Sequence, residues 1–157
     1  MTSPSPPPAG PESGESDRRL AEELALGLCR AFAEAGQGAL TEFTLANGRR
    51  ADLMAIDGKG RVTIVEIKSS RQDFQADQKW RDYLEFCDSF FFAVAAEFPI
   101  ELLPPDVGVI VADRYGAHWL RPSAPLPPLA AARRKALLLR FAMLASGRLL
   151  HRIDPPL

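Results

Sequence analysis

The amino-acid sequence predicts a mixed α/β fold in which helices sandwich a central sheet. Two observations carry this. Apolar residues recur at helical spacing near both ends of the 157-residue chain, and β-branched or aromatic runs bounded by Gly-rich turns lie between them. The balance of 46% apolar and 25% charged residues is that of an ordinary globular domain.

The opening MTSPSPPPAGPESGES holds five prolines and four serines in sixteen residues. That composition buries too little surface to offset chain entropy, so residues 1–16 are expected to be a disordered tail and 17–157 one domain. From Asp17 to Ala35, Leu20, Leu24, Leu28, Ala31 and Ala35 fall on one helical face, with Ser16 or Asp17 as cap and Gly36 as stop. Thr41–Ala46 then alternates, Asn47-Gly48 signals a two-residue hairpin, and Arg49–Ile56 returns beside it. Asp57-Gly58-Lys59-Gly60 leads into Arg61–Ser69, whose Val62, Ile64, Val65 and Ile67 suit a central strand. Asp73–Asp88 reads as a second helix with Trp80, Tyr83, Leu84 and Cys87 on one stripe. Strands follow at Phe90–Ala95, Val107–Ala112 and Ala117–Arg121. A Pro-rich bridge, 122–128, precedes a closing helix from Leu129 to His151.

Several classes are excluded. The longest apolar run, Phe90–Ala96, is seven residues, where a membrane span needs about twenty. The N-terminus has neither the basic nor the apolar part of a secretory signal, and Cys29 and Cys87 suit buried thiols in a reducing compartment, so a cytoplasmic location is expected. No phosphate-binding glycine loop or dinucleotide fingerprint appears, so no nucleotide cofactor is expected. Nineteen basic and twenty acidic residues nearly cancel, but unevenly: residues 133–157 hold six basic groups and one acid. Such asymmetry suits a surface for a polyanion beside a carboxylate site.

The second turn of the meander fixes a register. If Gly60 takes the left-handed position of a three-residue loop, Asp57 opposes Arg61 and opposed residue numbers sum to 118. Asp52 then faces Glu66, with Cβ atoms about 5 Å apart. Lys68 shares their face by strand alternation. Opposed like charges are destabilising unless something positive lies between them. A hard divalent cation does that well, because it accepts one or two carboxylates and leaves positions for water and phosphate.

Asp52, thirteen residues, then Glu66-Ile67-Lys68 resembles the PD-(D/E)XK nuclease signature. More closely, GRRADLMAID, VTIVEIKSSRQDFQADQKWRDYLEFCDSFFFAV, FPIELLP, GVIVAD and ARRKALLLRFA resemble the MmcB-like DNA repair proteins over most of residues 38–150. The resemblance implies a restriction-endonuclease-like αβββαβ core with additional strands and a long C-terminal helix. It implies a role in DNA repair, with Asp52, Glu66 and Lys68 catalytic and Mg²⁺ or Mn²⁺ as cofactor. Asp52, Glu66 and the Ile67 carbonyl would be metal ligands. Where many members have Asp, this chain has Glu66. Some members place a further acid on the first helix; Glu23 flanks its apolar face and is preferred to Glu22.

Residues beside these positions suit DNA. Arg49 and Arg50 precede Asp52, and Ser69, Ser70 and Arg71 follow Lys68, a set of cations and hydroxyls suited to phosphates. Gln78 and Lys79 on the second helix join them by analogy with the superfamily. On the closing helix Arg133, Arg134, Arg140, Arg148 and Arg152 span about 120° of its circumference and a length of roughly 28 Å. Leu138, Leu139, Ala142, Met143, Leu149 and Leu150 lie on the other side, so the expectation is an apolar face docked inward and a basic stripe turned outward. Leu137, Phe141 and Leu144 lie among the arginines, where they would suit a protein partner.

The sequence therefore points to a DNA repair protein hydrolysing phosphodiesters, with DNA as partner, other repair proteins as further candidates, and no membrane. The rival is a non-catalytic DNA-binding or adaptor module that keeps the nuclease fold.

Overall fold

A computed structural model of the protein describes residues 13–77 and 79–157. It contains a six-stranded sheet in the order β1 to β6: Gly38–Thr44, Arg50–Ile56, Val62–Ile67, Ser89–Val94, Gly108–Ala112 and Ala117–Arg121. The first two pairings and the last are antiparallel, whereas β3–β4 and β4–β5 are parallel. Helix α1, Ser13–Glu34, covers one face, and α2 (Arg71–Ala76), a 3-10 segment (Trp80–Phe86) and α3 (Ala131–Ile153) gather on the other. The order α1-β1-β2-β3-α2-β4 is the αβββαβ order expected from the sequence.

Strand alternation divides the core. Leu53, Ala55, Val65, Phe91, Ala93 and Ile110 meet Leu24, Leu28 and Phe32 of α1. Met54, Val62, Ile64, Phe90 and Phe92 meet Trp80, Tyr83, Phe86, Leu137 and Phe141. The aromatic group is tightly knit, with Trp80 stacked on Phe90 at 5.6 Å and edge-on to Phe92 at 5.4 Å. Gly27 lets α1 approach the β5–β6 turn, since a Cβ there would collide with the Asp113 carbonyl oxygen.

The register of β2 on β3 is the predicted one. Leu53 opposes Val65 and Met54 opposes Ile64, closed by Gly60 at φ +77° with the Asp57 N–H donating to Arg61 O at 3.1 Å. The first hairpin differs. Leu45 N–H donates to Arg49 O at 2.7 Å and Gly48 has φ +83°. The loop is therefore the three residues Ala46–Gly48, with glycine in the left-handed position, not a two-residue turn.

Other boundaries need correction. Helix α1 starts at Ser13, so residues 13–16, expected in the tail, form its first turn, while 1–12 lie outside the described residues. The second helix is not continuous: α2 ends at Ala76, and Asp77 is extended at φ −90°, ψ 106°. The Asp77 carboxylate accepts the Lys79 N–H at 2.9 Å and the Lys68 ammonium at 2.7 Å. That local bonding competes with helix propagation.

The closing helix docks by the face opposite to the one expected. Leu137 and Phe141 are buried and Leu144 is partly buried, whereas Leu139, Met143, Leu149 and Leu150 are exposed. Phe141 seats against Phe43, rings 6.2 Å apart. Rotation of the helix is set by Arg134, whose guanidinium bonds Asp88 at 2.6 and 2.8 Å and Gly60 O at 2.9 Å. Periodicity identified two arcs, but shape and this ion pair decided which one faces inward.

Candidate active site

The hydrogen-bonded ladder between β2 and β3 stops at Leu53–Val65, and side chains take over where the strands part. The Asp52 N–H donates to Glu66 Oε1 at 2.9 Å, and the Ile67 N–H donates to Asp52 Oδ2 at 2.8 Å. Each carboxylate thus caps the opposite strand. Across from Asp52 in β1, Glu42 has φ +51°, a left-handed conformation that costs a non-glycine residue about 1 kcal/mol or more and collects at functional sites. The β1–β2 ladder skips this position.

Lys68 is 5% exposed, as is Glu66. Its ammonium bonds Asp77 Oδ2 at 2.7 Å and lies 4.0 Å from Asp73 Oδ1. Asp73 is held in turn by the start of α2, where its N–H donates to Ser70 Oγ at 3.0 Å and its carboxylate accepts the Ser69 N–H at 3.2 Å. This is a capping arrangement, so Ser69 and Ser70 position an acid beside the lysine.

The electrostatics follow from burial. Loss of solvent, then the charge of Asp52, pushes the Glu66 carboxyl up to about 9. Burial also raises Asp52, opposed by its bond from Ile67 and by the Lys68 charge. Asp77 is lowered: burial works against its charge, but the bonds from Lys68 and the Lys79 N–H outweigh it. Burial, then Glu66 and Asp52, raises the Tyr83 phenol, whose hydroxyl donates to Arg50 O at 2.9 Å. The Lys68 charge is thus shared between Asp77 and the Asp52–Glu66 pair, and burial still raises both carboxyls of the pair, with the Asp52 charge raising Glu66 further.

Among the described residues, no group of three or more His, Cys, Asp or Glu side chains is placed to hold a metal ion. The chain offers the carboxylate pair and the neighbouring Ile67 carbonyl. Hard divalent ions are commonly held by such a donor set, with water and phosphate completing the shell. The same ion would relieve the repulsion between the two carboxylates.

Above these groups lies a cleft of about 1030 Å³ between α1, the β1–β2 strands and the 77–83 segment. Arg49, Arg50 and Lys79 line it with Asp52, Glu66 and Lys68. Arg49 is paired with Asp82 at 3.1 Å, whereas Arg50, Lys79 and Arg71 are exposed. Gln78 lies outside the described residues. Glu22, not Glu23, lines this cleft; Glu23 lines a separate hollow near Ala95 and Asp113. Arg18, Glu22 and Leu26, each one turn from the next on α1, line the same cleft as the carboxylates. Of the α3 arginines, Arg134 is tied to Asp88, Arg133 to Glu85 O at 3.1 Å, and Arg148 to Glu42 O at 3.2 Å. Arg140 is exposed. None of the four lines the cleft.

Sequence reasoning missed Asp77, Glu22 and Glu42 as members of the site. An acid in the first turns of a helix needs no further reason than the macrodipole, which hides Asp77 in the sequence; the signal for it is that a buried Lys68 requires a counter-charge. Among the described residues, no helix is long and apolar enough to cross a membrane.

Comparisons with known proteins bear on the family and the fold. The family model described as "MmcB-like: DNA repair protein MmcB-like" matches residues 7–155. Among solved structures, the SPO1766 protein of unknown function from Silicibacter pomeroyi is similar, with 46% identity and a TM-score of 0.83 over 87% of this chain and 92% of that one. No curated protein matches the chain.

Proposed function

The chain belongs to the MmcB-like DNA repair protein family, and on that premise we propose that it is a metal-dependent DNA phosphodiesterase of the PD-(D/E)XK type. The observation that carries the reading is the mutual capping of Asp52 and Glu66 beside a buried Lys68. The two carboxylates and the Ile67 carbonyl would hold Mg²⁺ or Mn²⁺. Such an ion, when bound, supplies Lewis acidity to a phosphoryl oxygen and lowers the pKa of water. Lys68, steadied by Asp77, presents its ammonium where it can orient an attacking water or offset charge on the pentacovalent phosphate. Arg50 and Lys79 on the rim suit the flanking phosphates.

A specific feature favours a second reading. Both carboxylates cap strands and Lys68 is ion-paired, so the constellation also has structural use in a non-catalytic DNA-binding module. Cleavage of single-stranded, duplex, flapped and branched DNA with Mg²⁺ or Mn²⁺ separates the two. Turnover that is lost in Lys68→Ala and Asp52→Asn supports the phosphodiesterase. Binding without turnover on every substrate supports the module, and turnover that survives Asp52→Asn contradicts the mechanism.

A further inference from the structure

The walls of the cleft differ in chemistry, and the difference bears on the shape of the DNA. Glu66 and Lys68 form a deep floor, each 5% exposed. Arg50 and Lys79 line one side. On the other, α1 presents Ala21, Ala25 and Leu26, with Glu22, whose carboxylate repels phosphate, among them and Arg18 one turn before it. Leu24 and Leu28 of that helix are fully buried, yet Leu26 is 43% exposed and turned to the cleft rather than to the core.

Duplex DNA matches such a site poorly. Its outer surface is phosphate and sugar, with the base faces stacked inside. Phosphates pressed against Ala25 and Leu26 would lose water and gain no partner. The duplex backbone would also have to descend to a floor enclosed on both sides. An unpaired nucleotide carries both chemistries at once: a charged phosphate, and apolar base and deoxyribose faces that stacking otherwise covers. The cleft volume of about 1030 Å³ is at the upper end of sites that enclose small ligands.

Resting on the phosphodiesterase reading of this cleft, we propose that it takes an unpaired nucleotide, its base and sugar against Ala21, Ala25 and Leu26 and its phosphates toward Arg50 and Lys79. Leu26 is then a specificity-determining residue. It gives the unpaired nucleotide an apolar contact that a duplex cannot use.

The test is fluorescence anisotropy on the full chain in EDTA, where binding is read without cleavage. The probes are one labelled oligonucleotide as a single strand, as a full duplex, and as a duplex with a gap. Single-stranded and gapped DNA are expected to bind about tenfold more tightly than duplex. Leu26→Gln should weaken single-strand binding about fivefold while sparing duplex binding. Leu139→Gln, exposed on α3 and away from the cleft, serves as the control and should change neither. Duplex binding as tight as single-strand binding, or an equal loss on both in Leu26→Gln, overturns the proposal. Parallel cleavage assays with Mn²⁺ keep the two readings apart. Single-strand preference with no cleavage of any substrate sinks the phosphodiesterase and leaves the pocket, whereas cleavage with duplex preference does the reverse.

Discussion

Asp52 and Glu66 each complete the other's strand: the Asp52 N–H reaches Glu66 Oε1 at 2.9 Å, and Asp52 Oδ2 accepts the N–H of Ile67 at 2.8 Å. The proposed metal ligands therefore also hold the end of the sheet. Substituting them by alanine confounds chemistry with folding. Asp52→Ala should destabilise the protein by about 1–3 kcal/mol in urea unfolding, because the Ile67 N–H loses its acceptor. Asp52→Asn retains an oxygen there and should cost much less. Equal losses in the two variants would contradict the capping role.

Lys68 and Asp77 form the second linked pair, 2.7 Å apart with side chains 5% and 18% exposed. Removing one partner strands the other. Asp77→Ala should cost about 3 kcal/mol, and Lys68→Met with Asp77→Asn should recover part of it. A double-mutant cycle by denaturation measures the coupling, and additivity of the single losses would refute it. Metal-dependent cleavage should fall in Asp77→Asn, because the ammonium loses its anchor.

The pH dependence follows from Glu66, raised to about 9 from an unfolded value of 4.5. Between those values the folded state holds a proton that the unfolded state has released. Stability of metal-free protein should therefore be fullest near pH 4.5 and decline as pH rises toward 9, by at most about 1.4 kcal/mol per unit for one group. Glu66→Gln should flatten that slope. Thermal melts in EDTA across the range check this, and a slope unchanged in Glu66→Gln would contradict it.

Arg134 and Arg50 should separate structure from binding. Arg134→Ala removes the contacts with Asp88 at 2.6 and 2.8 Å that seat α3; it should cost about 1–3 kcal/mol of stability and leave the salt dependence of DNA affinity unchanged. Arg50→Ala should barely alter stability and lower the log affinity–log salt slope by about one. The reverse pattern would return DNA contact to the arginines of α3.

Much of this was legible in the sequence because turns fix registers. Gly60 in the left-handed position determines that residue numbers across β2 and β3 sum to 118, and Asp52, Glu66 and Lys68 follow from that count. Helix rotation was less legible. On α3 two apolar arcs compete, and the choice fell to the Arg134–Asp88 pair and to the fit of Phe141 against Phe43. On α1 the acids Glu22 and Glu23 differ by one step of rotation, and only the docked helix shows that Glu22 lines the cleft and Glu23 the hollow near Ala95. The break at Asp77 was hidden for a related reason. The Asp77 carboxylate there bonds the Lys79 N–H and Lys68, nine positions away, and helix periodicity reports neither.

Titration of the metal-free protein with Mn²⁺, read by electron paramagnetic resonance of the free ion, addresses the central claim most directly. The wild-type chain should take up one ion, and the Asp52→Asn, Glu66→Gln double variant, folded by circular dichroism, should take up none over the same range. Undiminished uptake by the double variant would contradict a metal centre built on these two carboxylates.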